Sequence, residues 1–252
     1  MNKTIEIQKN HKTIREFKND HISKEIMEEL LEVARRTATS NGMQTYSIIR
    51  ITNKAIKEKI SKLCNQEYIA RAPELLIFIV DQYRNSQIST EKGLDFEYTN
   101  DMDKFFQGFT DSSLAAQNMV VAAESLKLGT NYLGSILNNV KEICSLLELP
   151  KLTFPVVGLS IGYPNQEPQL KPRMEMSLRV FENKYIKFSN YLEKLENYDR
   201  EMQSYYDLRD ANKRVDSFTD QVKTKSKLSL EKRKEILNAI KDQGFNLMIK
   251  EV

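Results

Sequence analysis

Apolar positions recur along the chain in two alternating rhythms. From Ser23, an N-cap type, the residues Ile26, Leu30, Val33 and Ala34 recur at helical spacing and Thr37 ends the stripe. Tyr46 to Thr52 is β-branched-rich and predicts a strand, and Lys54 to Leu63 predicts a short amphipathic helix. Leu75 to Val80 is continuously apolar, the signature of a strand buried on both faces. Residues 84–104 are polar and without rhythm, and predict a long excursion or mobile helix. Asp111 to Leu126 is apolar nearly all round, so it predicts a helix at the centre of a domain or in a dimer interface, with Gly129 as its C′ residue. A short strand over 131–135, a helix through Val140, Ile143 and Leu147, and a buried strand over 154–161 follow. The last third is weakly apolar, with helices expected over 189–207 and 229–242, the latter between Ser229 as N-cap and Gly244 as C′.

This order predicts an α+β chain with a small sheet around a buried helix. With 252 residues and no Pro/Gly/Ser linker, one domain over 1–252 is expected, with 84–110 and 190–252 as peripheral or partner-embracing segments. Hydrophobic residues make up 40% and charged residues 29%, with a mean hydropathy of -0.54, so a core and a heavily charged surface are both expected. Formal net charge is only +3 and the basic residues are spread out, which gives no case for nucleic acid. The basic stretches 223–227 and 231–235 alternate with acidic residues and read as solvated helical faces. No apolar run reaches membrane-spanning length and the N-terminus lacks an apolar leader core, so a cytoplasmic protein is expected. Cys64 and Cys144 lack metal-ligand spacing and read as buried thiols in a reducing compartment.

Histidine is limited to His11 and His21, and HExxH, CxxC, GxSxG, GxGxxG and P-loop motifs are absent. If the chain is an enzyme, its chemistry is expected from a bound cofactor. Two basic motifs about 160 residues apart point to a phosphate-bearing one: His11-Lys12-Thr13-Ile14-Arg15 and Lys171-Pro172-Arg173.

Between them lie Thr39-Ser40-Asn41-Gly42 with Gln44, Gln66 ahead of Ala72-Pro73, and the run from Ala115 to Ser135 ending in Tyr132-Leu133-Gly134-Ser135. Phe154 to Pro164 follows. In this order and spacing, over about residues 4–245, the chain resembles the flavin-dependent nitroreductase superfamily, nearest its oxygen-insensitive NAD(P)H nitroreductases and flavin reductases. The resemblance implies a nitroreductase-like fold, with a small mixed sheet flanked by helices and a long buried central helix. It also implies an intertwined homodimer with FMN at the interface.

By that resemblance, His11, Lys12, Thr13 and Arg15 grip the FMN phosphate and ribityl chain, and Lys171 and Arg173 complete the grip. Thr39, Ser40, Asn41 and Gln44 contact the flavin from the partner subunit or line the substrate face. Gln66 bonds the pyrimidine edge of the flavin. Tyr132, Leu133, Gly134 and Ser135 bring backbone beside the ring, with Ser135 where a second glycine is often found. Arg209 and Arg214 hold the nucleotide 2′-phosphate, which implies NADPH, with NADH as the other donor. The implied reaction is ping-pong hydride transfer from NAD(P)H through FMN to a small-molecule acceptor: a nitroaromatic, a quinone or free flavin. The alternative on the same fold is a non-enzymatic dimeric flavin-binding protein for sensing or storage.

Overall fold

The apolar run at Leu75–Val80 is the centre of a sheet. In a computed structural model that describes residues 2–94, 99–207, 213–227 and 231–247, β2 (Glu74–Asp81) is buried along its whole length. Strands flank it on both edges and side chains cover it on both faces, so every residue can be apolar. β1 (Tyr46–Arg50) pairs with one edge, placing Tyr46 opposite Val80. β4 (Thr153–Gly162) pairs with the other, placing Leu76 opposite Leu159, and β3 (Gly129–Leu133) lies outside β4. The order is β1-β2-β4-β3 and all three pairings are antiparallel. Among the described residues, parallel pairing occurs at two isolated bridges, Thr13 with Thr130 of β3 and Asp101 with Asn246.

Two faces of β2 feed two cores. Leu76 and Phe78 meet Ala115, Ala116, Met119, Val120 and Ala123 of the central helix α6 (Met102–Ser125) and Leu30 and Ala34 of α2 (Lys24–Arg35). Leu75, Ile77 and Ile79 meet Ile60 and Cys64 of α3 (Lys54–Cys64), Ile69 of α4 (Tyr68–Arg71) and Ile143 of α7 (Val140–Leu146). Short α1 (Lys3–Lys9) buries no residue. Ser23 caps α2 as expected, its Oγ accepting from Ile26 N at 3.3 Å.

Two expectations about the central helix are corrected. It starts at Met102 rather than Asp111, because the Asp101 carboxylate caps it, accepting from Lys104 N at 2.8 Å. The preceding stretch holds α5 (Tyr83–Glu91). Phe105, 3% exposed, packs edge-on against Phe154 and Phe245 with ring centroids 5.4 and 5.0 Å apart. At the other end Lys127, not Gly129, is the left-handed residue, with φ 63°. Lys127 N donates to Glu124 O and Leu128 N to Ala123 O, both at 3.0 Å, which closes the helix. Gly129 opens β3 instead, where a Cβ would lie 2.7 Å from Ile14. Glycine there lets the N-terminal segment dock on β3, with Ile14 N donating to Thr130 O at 2.8 Å.

The chain divides into two compact units, residues 1–9, 13–166 and 230–252 against 10–12 and 167–229. In the larger, Ala239 and Ile240 of α10 (Ile236–Asp242) join Phe245, Phe154 and Val156 in a third cluster. Gly244, at φ 92°, ends this helix as expected; Ser229 lies outside the described residues. In the smaller, α8 (Tyr191–Ser204) buries Leu195, Tyr198 and Met202 among Met174, Leu178, Val215 and Phe218, the last from α9 (Phe218–Lys227). Two short strands, β5 (Tyr206–Asp207) and β6 (Lys213–Arg214), pair antiparallel there.

Candidate functional site

Gln66 follows α3 through Asn65, whose left-handed backbone (φ 52°) turns the chain after the helix. Its backbone is pinned on both sides: its N–H donates to Ser61 O at 3.0 Å and its carbonyl accepts from Ser61 Oγ at 2.9 Å. Its side chain meets Ser135, whose Oγ donates to Gln66 Oε1 at 2.7 Å. Two residues 69 apart in sequence, one expected at the pyrimidine edge and the other in the segment beside the ring, are therefore brought together. Between β3 and Ser135 stands Gly134, exposed, where a Cβ would meet no atom within 4 Å. Its carbonyl accepts from Arg233 Nη2 at 3.4 Å, a cation the sequence reading did not single out.

The other two members of this segment turn their side chains inward. Tyr132 Oη meets Gln117 Oε1 of the central helix at 3.1 Å, and burial, aided by Glu124, pushes the phenol above its ordinary range. Leu133 is 1% exposed in the core. Both present backbone, not side chain, to any ligand beside Gly134.

The turn after α2 is strained and tied down. Asn41 (φ 52°), Gly42 (φ 70°) and Gln44 (φ 52°) are all left-handed. Non-glycine residues persist there only where their surroundings over-determine them. Asp111, fully buried in α6, supplies one tie: its carboxylate accepts from Ser40 N at 2.8 Å, Thr45 N at 3.3 Å and Thr45 Oγ1 at 2.8 Å. From α5, Arg84 donates to the carbonyl of Gln44 and Asn85 Nδ2 to Met43 O at 3.0 Å. Thr39 Oγ1 accepts from Gln44 N at 3.3 Å, closing the turn on itself. Asp111, Arg84 and Asn85 were not among the expected site residues. The available signal was an aspartate at the expected start of the central helix.

One flank of this turn borders a cleft of about 640 Å³ lined by Met43, Gln44, Tyr46, Arg84, Asn85 and Ile88, among others. The turn hangs from α5 and α6, whereas Gln66 and Ser135 hang from α3 and the end of β3.

The basic motifs divide between the units. In the larger, Thr13 forms the parallel bridge to β3 and Arg15 is half-buried. In the smaller, Lys12 Nζ pairs with Glu167 Oε1 at 2.5 Å, and His11 is half-buried. Arg173 is exposed and folds back on its own backbone, Nη1 donating to the carbonyls of Lys171 at 2.9 Å and Pro172 at 3.1 Å. Lys171 is exposed. Arg209 lies outside the described residues, as does the side chain of Arg214.

These features fit a flat, polar-edged ligand with an anionic tail. The open space at Gly134 admits a planar group, the Gln66–Ser135 pair offers an amide to its edge, and Arg15 of the same unit is of the type that bonds a phosphate.

Residues 9–163 match the model of the Nitroreductase family, and residues 171–248 that of the Nitroreductase family C-terminal domain. The chain is 35% identical over 246 residues to the oxygen-insensitive NADPH nitroreductase of Salmonella typhimurium, covering 97% of this chain and 99% of that one. It is 33% identical over 250 residues to the FMN reductase (NADPH) of Bacillus subtilis, covering 98% and 99%. Among solved structures, NfrA2 of B. megaterium superposes with a TM-score of 0.90 at 29% identity, covering 99% of this chain and all of that one (100%).

Proposed function

The chain belongs to the nitroreductase family, and on that premise we propose that it is an FMN-dependent NAD(P)H oxidoreductase acting by ping-pong two-electron transfer. Its acceptors are nitroaromatics, quinones or free flavin. The observation that carries this reading is the Gln66–Ser135 pair beside the open backbone of Gly134. It is supported by relatives whose names are NADPH nitroreductase, FMN reductase and NADPH-flavin oxidoreductase.

When bound, FMN supplies the centre that accepts a hydride from the nicotinamide and gives one to the acceptor. The chain's own residues bind and orient. Gln66 holds the pyrimidine edge, and Gly134 lets backbone approach the ring without a Cβ in the way. Thr13 and Arg15, and in the smaller unit His11, Lys12, Lys171 and Arg173, are assigned to the phosphate and ribityl chain. Arg173 is suited to a two-pronged contact once it lets go of its own backbone. Arg209 and Arg214 are assigned to the nucleotide phosphate, and so NADPH to the role of donor.

The working unit in this proposal is a homodimer. The turn Thr39–Gln44 contacts the partner's flavin or lines the substrate face, in keeping with its suspension from elements other than those that hold Gln66. On the central helix Phe106 and Leu114 are 60% and 49% exposed, apolar surface that a partner would cover. Cytoplasmic residence belongs to the same proposal and is supported by Cys64 and Cys144, both buried and unbridged. No described helix is long and apolar enough to cross a membrane.

The test is the absorption spectrum of purified protein loaded with FMN, before and after anaerobic NADPH, with NADH in parallel. Rapid bleaching followed by reoxidation with a quinone through many turnovers is expected. Bound flavin that neither nucleotide reduces would leave a flavin-binding protein without this activity, and no flavin binding would sink the proposal.

A further inference from the structure

Ser135 and Gln66 are joined behind the open backbone of Gly134. The Ser135 hydroxyl donates to Gln66 Oε1 at 2.7 Å. Only the carbonyl end of the Gln66 amide accepts.

The carbonyl end of the amide is therefore the end turned to Ser135. With the backbone of Gln66 held at both its N–H and its C=O by Ser61, the side chain has little freedom to reverse. The NH2 end, half-exposed with the rest of the residue, is the end left to face a ligand.

We propose that Ser135 is a positioning residue that locks the Gln66 amide with its NH2 group toward the flavin, where it favours the reduced form. This rests on the FMN reading above. The pyrimidine edge of a flavin carries an N–H donor between two carbonyl oxygens. An outward NH2 pairs with an oxygen; an outward carbonyl would pair with the N–H. Two-electron reduction at neutral pH places negative charge on the pyrimidine ring and its oxygens. A donor to such an oxygen strengthens as the charge appears, whereas an acceptor facing the N–H does not.

The experiment compares wild type, Ser135→Ala, Ser135→Thr and Gln66→Glu as FMN-loaded proteins. It reads the FMN dissociation constant and the midpoint potential of the bound flavin by dye equilibration. Ser135→Ala should lower the preference for reduced over oxidised flavin by about three- to tenfold, the worth of one hydrogen bond. For a two-electron couple that is a fall of about 15 to 30 mV. Ser135→Thr restores the hydroxyl and should restore the potential, which mere loss of packing at Ser135 would not predict. Gln66→Glu puts a second acceptor against flavin oxygens and should weaken FMN binding by about tenfold or more. An unchanged potential in Ser135→Ala overturns the proposal, as does wild-type FMN affinity in Gln66→Glu, because the carbonyl end would then face the flavin. If the alanine variant does not fold, the threonine and glutamate variants carry the test. Failure of the wild type to bind FMN overturns the functional reading itself, a separate and recognisable result.

Discussion

β2 and the turn at Thr39–Gln44 lie in the same unit and are made rigid by opposite means. β2 is buried throughout and held by non-directional apolar packing on both faces. The turn is largely exposed, holds three left-handed residues among four positions, and is fixed by directional bonds from Asp111, Arg84 and Asn85. Apolar packing tolerates exchange among residues of similar volume. A strained turn tied by a buried carboxylate does not, because each tie is a single partner with a single geometry. In this protein accuracy at the surface comes from a polar group sunk in the core.

The comparison is broken most severely from the core side. Phe78→Ala removes a fully buried ring between sheet and central helix and should cost about 3–5 kcal/mol, read as a lower midpoint in denaturant with an unchanged slope. Asp111→Ala orphans Ser40 N–H, Thr45 N–H and the Thr45 hydroxyl and should cost roughly 2–4 kcal/mol. Its second signature separates it from Phe78→Ala: amide hydrogen exchange should rise at 39–45 well beyond the rest of the larger unit. Equal loosening everywhere would mean that Asp111 acts as core and not as an anchor. Arg84→Ala removes bonds at the exposed side of the turn and should cost about 1 kcal/mol, with faster exchange in the same segment. The smallest stability effect is expected for Lys171→Ala with Arg173→Ala, within about 0.5 kcal/mol because both are exposed. That double variant should nevertheless lose FMN affinity by tenfold or more, at about 1.5–3 kcal/mol per contact to a charged group. Unchanged affinity by fluorescence titration would remove these two residues from the phosphate assignment.

Much of the fold was legible because it follows from periodicity. The strand at Leu75–Val80, the stripe behind Ser23 and the stop at Gly244 lie where hydrophobic spacing and cap chemistry place them. The start of the central helix was missed because Asp101 is a cap only if the next residues are helical, and Phe105 becomes core only when Phe154 and Phe245 arrive from elsewhere. Gly129 was read as a helix stop because glycine serves two purposes, and only the approach of Ile14 shows which one applies. In the site, Gln66 and Ser135 were each picked out, but their bond joins residues 69 apart and no local pattern encodes it. Asp111 was visible only as the edge of a helix, since a carboxylate becomes an anchor when a distant turn brings it N–H groups.

By itself the sequence determined which segments are strand or helix, which face of each is apolar, and which residue types stand ready for a phosphate and a flat polar-edged ligand. These are properties of spacing and side-chain chemistry, and both are local. The tertiary structure decided which of those residues meet. It gave Gln66 a fixed amide through Ser135, turned Leu133 into core, bonded Tyr132 to the central helix, and tied a strained turn to Asp111. Hydrogen bonds over such separations exist only after the apolar core has closed and brought their partners within about 3 Å.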